Sequence, residues 1–180
     1  MTSVSDLPCP AMFNNSRLVL GARTLVFDRD GTINIDNGYV HQITDFEFTL
    51  NFSSILEILA KFQGNICIIT NQGGASIGKY HESDSRKFTE YLISRLKDHG
   101  ITINLVVTCY HHNKDQCKYR KPESGMLEKV ESIVNAHTQM YLYVGNDEKD
   151  AKVAMNRHVR YLDINSENFL EKFKDWIDSQ

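Results

Sequence analysis

The sequence predicts an α/β fold with a mainly parallel sheet covered by helices on both faces. Three observations predict it. Short β-branched and apolar runs recur at Thr24 to Phe27, Ile66 to Ile69, Ile103 to Val107, Tyr141 to Val144 and Val159 to Leu162, as expected of buried strands. Helical periodicities lie between them, the alternation that parallel crossovers require. At 180 residues, 41% hydrophobic and 24% charged, the chain suits one domain with its own core.

Taken in order, residues 1–22, with Pro8 and Pro10, read as an N-terminal lead-in to one domain over residues 23–180. The lead-in has no basic start followed by a sustained apolar stretch, so a secretory signal is not expected. After the first strand, Ile55, Ile58, Leu59 and Phe62 mark a helix, with Ser54 and Glu57 as its capping box. Phe88, Leu92 and Leu96, closed by Gly100, mark a second, and Met126, Leu127, Val130, Ile133 and Val134 a third. At the end of the chain Phe169, Leu170, Phe173, Trp176 and Ile177 share one helical face, a stripe expected to pack on the core.

Polar residues of interest follow four of the strands. Asp28 and Asp30 follow the first, Thr70-Asn71-Gln72-Gly73-Gly74 the second, Cys109 to Lys121 the third and Gly145 to Asp150 the fourth. In a parallel sheet these loops meet at the carboxyl ends of the strands, where such folds bind ligands. Asp28 and Asp30 project together, because residues two apart face the same side of an extended segment. A bound cation, or a proton on one of them, would offset their repulsion. Residues 109–122 carry Lys114, Lys118, Arg120 and Lys121 against the single acid Asp115, a local field suited to an anion.

Composition narrows the partners. The net charge of −3 argues against nonspecific nucleic-acid binding. No apolar run is long enough to span a bilayer, so no membrane is expected. Cys9, Cys67, Cys109 and Cys117 are too few and too scattered for a disulfide framework. A cytoplasmic location is the expectation, with a monomer slightly favoured.

With these residues assembled, the chain resembles the haloacid dehalogenase superfamily of phosphotransferases. Asp28-Arg29-Asp30-Gly31-Thr32 matches its first signature, Thr70 of ITNQGG its second, Lys121 of YRKPESGM its third, and VGNDEKDA approximately its fourth. Closer still, FDRDGTINIDNGYVHQITDFEF and CYHHNKDQCKYRKPESGM are similar to the D-glycero-D-manno-heptose 1,7-bisphosphate phosphatases and the related histidinol-phosphate phosphatases. The resemblance implies a three-layer Rossmann-like sandwich. The short loops after the first two strands leave no room for a large cap domain.

It also implies a Mg²⁺-dependent phosphatase acting through an aspartyl-phosphate. Asp28 would be the nucleophile, Asp30 the general acid and then base, and Thr70 and Lys121 the groups that bind and neutralise the phosphoryl oxygens. Asn71, Gln72, Arg120 and Lys121 would contact substrate. Asp28, Asp30, Asn146 and Asp147 would hold Mg²⁺, with Asp150 an alternative source of charge. Heptose bisphosphate is the first substrate expected. Histidinol phosphate or another small phosphorylated metabolite, more distantly a DNA 3′-phosphate, and phosphate binding without turnover are the alternatives.

Three positions depart from the resemblance. Asn146 stands where these families usually have an aspartate, removing a negative charge from the Mg²⁺ site. Ile77 replaces an arginine of the heptose phosphatases. Cys109, His111 and Cys117 fall where those enzymes place a zinc loop, but Tyr119 occupies the position of the fourth ligand, leaving His112 or water to complete a shell that normally takes four N or S ligands.

Overall fold

The computed structural model describes residues 9–13 and 18–179. Six strands form one sheet in the order β1-β4-β3-β2-β5-β6: β1 (Ala11–Phe13), β2 (Thr24–Phe27), β3 (Asn65–Asn71), β4 (Leu105–Cys109), β5 (Tyr141–Gly145) and β6 (Arg160–Asp163). All neighbours run parallel except β1, which pairs antiparallel along the edge of β4. The chain moves outward from β2 through β3 to β4 and then returns to the other side of β2 as β5. That reversal opens a crevice at the carboxyl ends of β2, β3 and β5.

The pleat sorts the core into two layers. Leu25, Phe27, Ile66, Ile68, Leu142 and Val144 face α1 (Leu50–Ser53), α2 (Leu56–Lys61), α3 (Glu82–Asp98) and α6 (Phe169–Asp178). Val26, Cys67, Ile69, Tyr141 and Tyr143 face α4 (Gly125–Val134) and α5 (Glu148–Asn156). The strands are thus buried on both faces, which is why they read as continuous apolar runs. The C-terminal stripe packs as expected, with Phe169, Phe173 and Trp176 buried.

Three local features differ from the sequence reading. The capping box at Ser54 and Glu57 does not form: a helical turn already begins at Leu50, where the Thr49 hydroxyl accepts from the Phe52 N–H at 3.2 Å, and Ser54 closes that turn. The next helix starts after Ile55 without a side-chain cap. Helix α5 was not legible, because only Val153 and Ala154 give it a buried apolar face. The lead-in also contributes to the domain, since Ala11, Met12 and Phe13 pair with Thr108, Val107 and Val106. By contrast Gly100 ends α3 as its position suggests, at φ +77°, with Ile101 N–H donating to Leu96 O and Gly100 N–H to Lys97 O, a Schellman closure that glycine adopts without steric cost.

Candidate active site

The β2 ladder carries Asp28 to the crevice, and its N–H still donates to the Val144 carbonyl at 3.0 Å. The chain then turns tightly, with Arg29 O accepting from Ile33 N–H at 2.8 Å and Gly31 N–H donating to Asn34 O at 2.7 Å. Gly31 has φ +79°, and a Cβ there would lie 2.4 Å from the Asn146 amide. Glycine is required both for the turn and for the approach of the fourth loop.

Asp28, Lys121 and Asp150 form a buried chain of charges. Lys121 Nζ donates to Asp28 Oδ1 at 2.5 Å and to Asp150 Oδ1 at 2.7 Å. Their side chains are 5%, 10% and 1% exposed for Lys121, Asp28 and Asp150. Tyr143 OH donates to the same Asp150 oxygen at 2.6 Å, and Asn146 N–H to its other oxygen at 3.1 Å. Burial pushes Asp28 up to about 7, even though Lys121 pulls it down. For Asp150 burial is outweighed by Lys121, and its carboxyl sits below the ordinary range. The same two carboxylates outweigh burial at Lys121 and raise its ammonium. The lysine therefore remains charged, with Asp150 as its fixed partner and Asp28 as the carboxylate that can change state.

Asp30 is held differently. Its Oδ1 accepts from Arg29 Nε at 2.9 Å and Asn34 Nδ2 at 3.0 Å, and its Oδ2 from an Arg29 terminal nitrogen at 2.8 Å and Gln72 Nε2 at 2.7 Å. Arg29, fully buried, is fixed in turn by the Thr89 hydroxyl, the Val40 carbonyl and the face of Phe88. Four donors thus fix the orientation of this one carboxylate.

The second and third loops interlock. Thr70 ends in the buried floor, and its hydroxyl accepts from Gln72 Nε2 at 2.9 Å. Gln72 is buried and fully engaged, its carbonyl accepting from Tyr80 and Ser85. Asn71 clamps the Lys121 backbone, donating to its carbonyl at 3.1 Å and accepting from its N–H at 3.0 Å. Arg120 donates to Asn113 Oδ1 at 2.6 Å and to His111 O at 2.8 Å while lining the crevice. The pairings of Gln72 with Asp30, Asn71 with Lys121 and Asp150 with Lys121 span 42, 50 and 29 residues, so no local pattern in the sequence signals them.

The donor set suits Mg²⁺. The tip of the Asn146 amide lies 3.2 Å from Asp28 Oδ2, 3.3 Å from the Asp30 carbonyl oxygen and 3.2 Å from Thr32 Oγ1. Turned one way, the amide NH₂ bridges these oxygens. Turned the other way, its oxygen accepts from Thr32 and joins the carboxylate and the carbonyl, at spacings near the ~3 Å edge of an octahedron with ~2.1 Å bonds. Asp147 is occupied elsewhere: it is exposed and caps α5, accepting from Lys149 N–H at 2.8 Å and Asp150 N–H at 3.1 Å.

Beside the crevice the loop after β4 folds back on itself. Cys109 and Cys117 lie together with His111, and Cys9 joins them, 3.4 Å from Cys109 and 3.2 Å from Cys117. His112, named with water as a candidate to complete the shell, is outside this group. Cys109 is drawn down to about 6, first by the hydrogen bond from Cys9 and against burial.

The four loops enclose a cavity of about 370 Å³ lined by Asp28, Asp30, Thr70, Arg120, Lys121 and Asn146. Such a constellation on this sheet defines a haloacid dehalogenase-like phosphatase, a phosphoric monoester hydrolase. A family model described as polynucleotide kinase 3 phosphatase matches residues 23–169, and the chain belongs to that family.

The D-glycero-beta-D-manno-heptose-1,7-bisphosphate 7-phosphatase of Helicobacter pylori is 31% identical over 156 residues, covering 86% of this chain and 90% of the relative. The D-glycero-alpha-D-manno-heptose-1,7-bisphosphate 7-phosphatase of Campylobacter jejuni is 32% identical over 161 residues, covering 85% and 91%. Among solved structures, the D,D-heptose 1.7-bisphosphate phosphatase of B. bronchiseptica, complexed with magnesium and phosphate, aligns with a TM-score of 0.74 at 18% identity, covering 85% of this chain and 86% of that one. At that identity the likeness establishes the fold.

Proposed function

We propose that this phosphatase hydrolyses a phosphomonoester of a small phosphorylated sugar, with D-glycero-D-manno-heptose 1,7-bisphosphate the substrate that its relatives' names favour. The observation that carries the reading is Asp28 gripped by Lys121, which Asp150 holds from the other side. A carboxylate oxygen is thereby aimed into the crevice beside a fixed cation, as phosphoryl transfer to a nucleophile requires.

Asp28 attacks phosphorus, forming a bond from its carboxylate oxygen as the bond to the leaving alkoxide breaks. Lys121 and the Thr70 hydroxyl accompany the equatorial oxygens. Asp30 protonates the leaving oxygen and later removes a proton from the water that cleaves the aspartyl-phosphate, regenerating both groups. For the first of these steps it must turn from its four donors and carry a proton. Gln72 is then a positioning residue for Asp30, and Asn71 one for Lys121, while Arg120 faces the distal part of the substrate.

Mg²⁺ held by Asp28 Oδ2, the Asp30 carbonyl and Asn146 would supply Lewis-acid neutralisation of the phosphoryl charge. Asn146 serves through its carbonyl, so affinity is lower than with an aspartate there. A structural zinc in the loop after β4 is the second metal of this reading and takes no part in the reaction. The free thiols fit a reducing compartment such as the cytoplasm.

The family description favours one second reading, a polynucleotide 3′-phosphate as substrate. The test is phosphate release with Mg²⁺ from heptose bisphosphate, other sugar phosphates, histidinol phosphate and a 3′-phosphorylated oligonucleotide, with Asp28→Asn as control. Preferred turnover of the heptose bisphosphate supports the proposal. Preferred turnover of the oligonucleotide transfers it to the second reading, and saturable binding without turnover removes catalysis.

A further inference from the structure

Cys9 precedes the antiparallel edge strand and is 100 residues from Cys109 in sequence, yet both reach one point of the fold. Cys9, Cys109, His111 and Cys117 each offer a ligand atom, and these atoms lie within 4.8 Å of one another. We infer that Cys9 is the fourth ligand of a zinc ion held with Cys109, His111 and Cys117, so that the metal clasps the N-terminal edge strand to the loop carrying Arg120 and Lys121. The inference rests on the structural-zinc reading and adds to it the ligand that Tyr119 does not provide.

Three features of this chain carry it. The sulfur separations are 3.2 Å for Cys9 and Cys117, 3.4 Å for Cys9 and Cys109, and 3.9 Å for Cys109 and Cys117. A tetrahedral ion with Zn–S bonds of about 2.3 Å spaces its sulfurs about 3.8 Å apart. All three cysteines are free thiols, so no disulfide accounts for their convergence. His111 Nδ1 is buried without a hydrogen-bond partner, a costly arrangement that coordination by the imidazole would relieve.

Topology explains how the set is assembled. Ala11 pairs with Thr108, and that register places Cys9, two residues earlier in the antiparallel strand, just beyond the end of β4 at Cys109. Cys117 stands three residues before Arg120, whose guanidinium also grips His111 O at 2.8 Å. Three thiolates and one imidazole close a tetrahedral shell with no open position, the form of a structural site.

The variant-free test is alkylation of the full-length protein, zinc-loaded and chelator-treated, read peptide by peptide by mass spectrometry. Cys9, Cys109 and Cys117 should be protected together with zinc and become reactive together without it, as expected when ligand thiolates are released. Cys67, buried in the core, should be unreactive in both. Zinc content is then measured for the wild type, Cys9→Ser, Cys9→His and Cys67→Ser. About one zinc per chain is expected for the wild type, Cys9→His and Cys67→Ser, with most of it lost in Cys9→Ser. Equal alkylation of Cys9 in the loaded and stripped protein, or full zinc in Cys9→Ser, overturns the Cys9 assignment while leaving zinc in the loop. A wild type that takes up no zinc overturns the zinc reading itself, and the assignment with it.

Discussion

The two ends of the sheet carry two cavities that differ in size and in the residues that line them. At the amino ends, Arg23, Ile58, Lys61, Phe62, Gly64 and Ile177 line a space of about 740 Å³, twice the roughly 370 Å³ at the carboxyl ends. Arg23 there stacks on Trp176 and donates to the Trp176 and Ile177 carbonyls, so its charge holds the C-terminal helix. The smaller cavity has buried carboxylates, a buried lysine and the positive-φ turn at Gly31. Volume does not locate the chemistry. Buried charge kept in place by distant partners does, because a fold accommodates that cost only where surrounding contacts compensate it.

Substitutions at the two ends should separate them sharply. Lys121→Met should lower turnover by about a hundredfold or more, the scale of losing one transition-state donor. It should also destabilise the protein by about 3–5 kcal/mol, because Asp28 and Asp150 are left buried together; thermal and denaturant unfolding would measure this. Lys61→Ala at the other end should leave turnover within about twofold, as expected of a surface change away from the reacting groups. A comparable loss there would erase the distinction.

Smaller changes test how the carboxyl end is tuned. Asn146→Asp should tighten Mg²⁺ by about tenfold by restoring a ligand charge, read from the Mg²⁺ dependence of turnover or from calorimetry. Gln72→Leu should lower kcat severalfold with little change in KM, because Asp30 loses a donor that positions it while substrate contacts remain; an effect confined to KM would instead make Gln72 a substrate ligand.

The pH dependence of stability follows from Asp28. Its folded value of about 7 lies above the usual 3.8, so the folded protein binds this proton more tightly than the unfolded chain does. The corresponding stability is complete below the unfolded value and is lost as pH rises from about 4 through 7. Asp150, lowered, works in the opposite sense and loses its contribution as pH falls. In metal-free protein Asp28→Asn should therefore raise the melting temperature more at pH 8 than at pH 4. An equal effect at both would mean that burial does not tax the carboxylate.

Much of the carboxyl end was legible because strands buried on both faces announce themselves and the loops that follow them carry the polar residues. Asp28, Asp30, Thr70 and Lys121 could be placed together from that alternation and the family motifs. The support beneath them was not legible. Asp150 reaches Lys121 across 29 residues and Gln72 reaches Asp30 across 42, and no local pattern encodes such pairs. Cys9 was assigned to the lead-in for the same reason, since only the antiparallel register of β1 brings it to Cys109. Helix α5 escaped because its first turn is specified by the Asp147 cap and its apolar face is small.

The most direct test of the central claim is to quench the enzyme in acid during turnover of substrate labelled in the phosphoryl group and to map the label by peptide. Label on the peptide containing Asp28, absent from Asp28→Asn, is the predicted result. Full turnover by Asp28→Asn, or label on another residue, would contradict the assignment of Asp28 as the nucleophile.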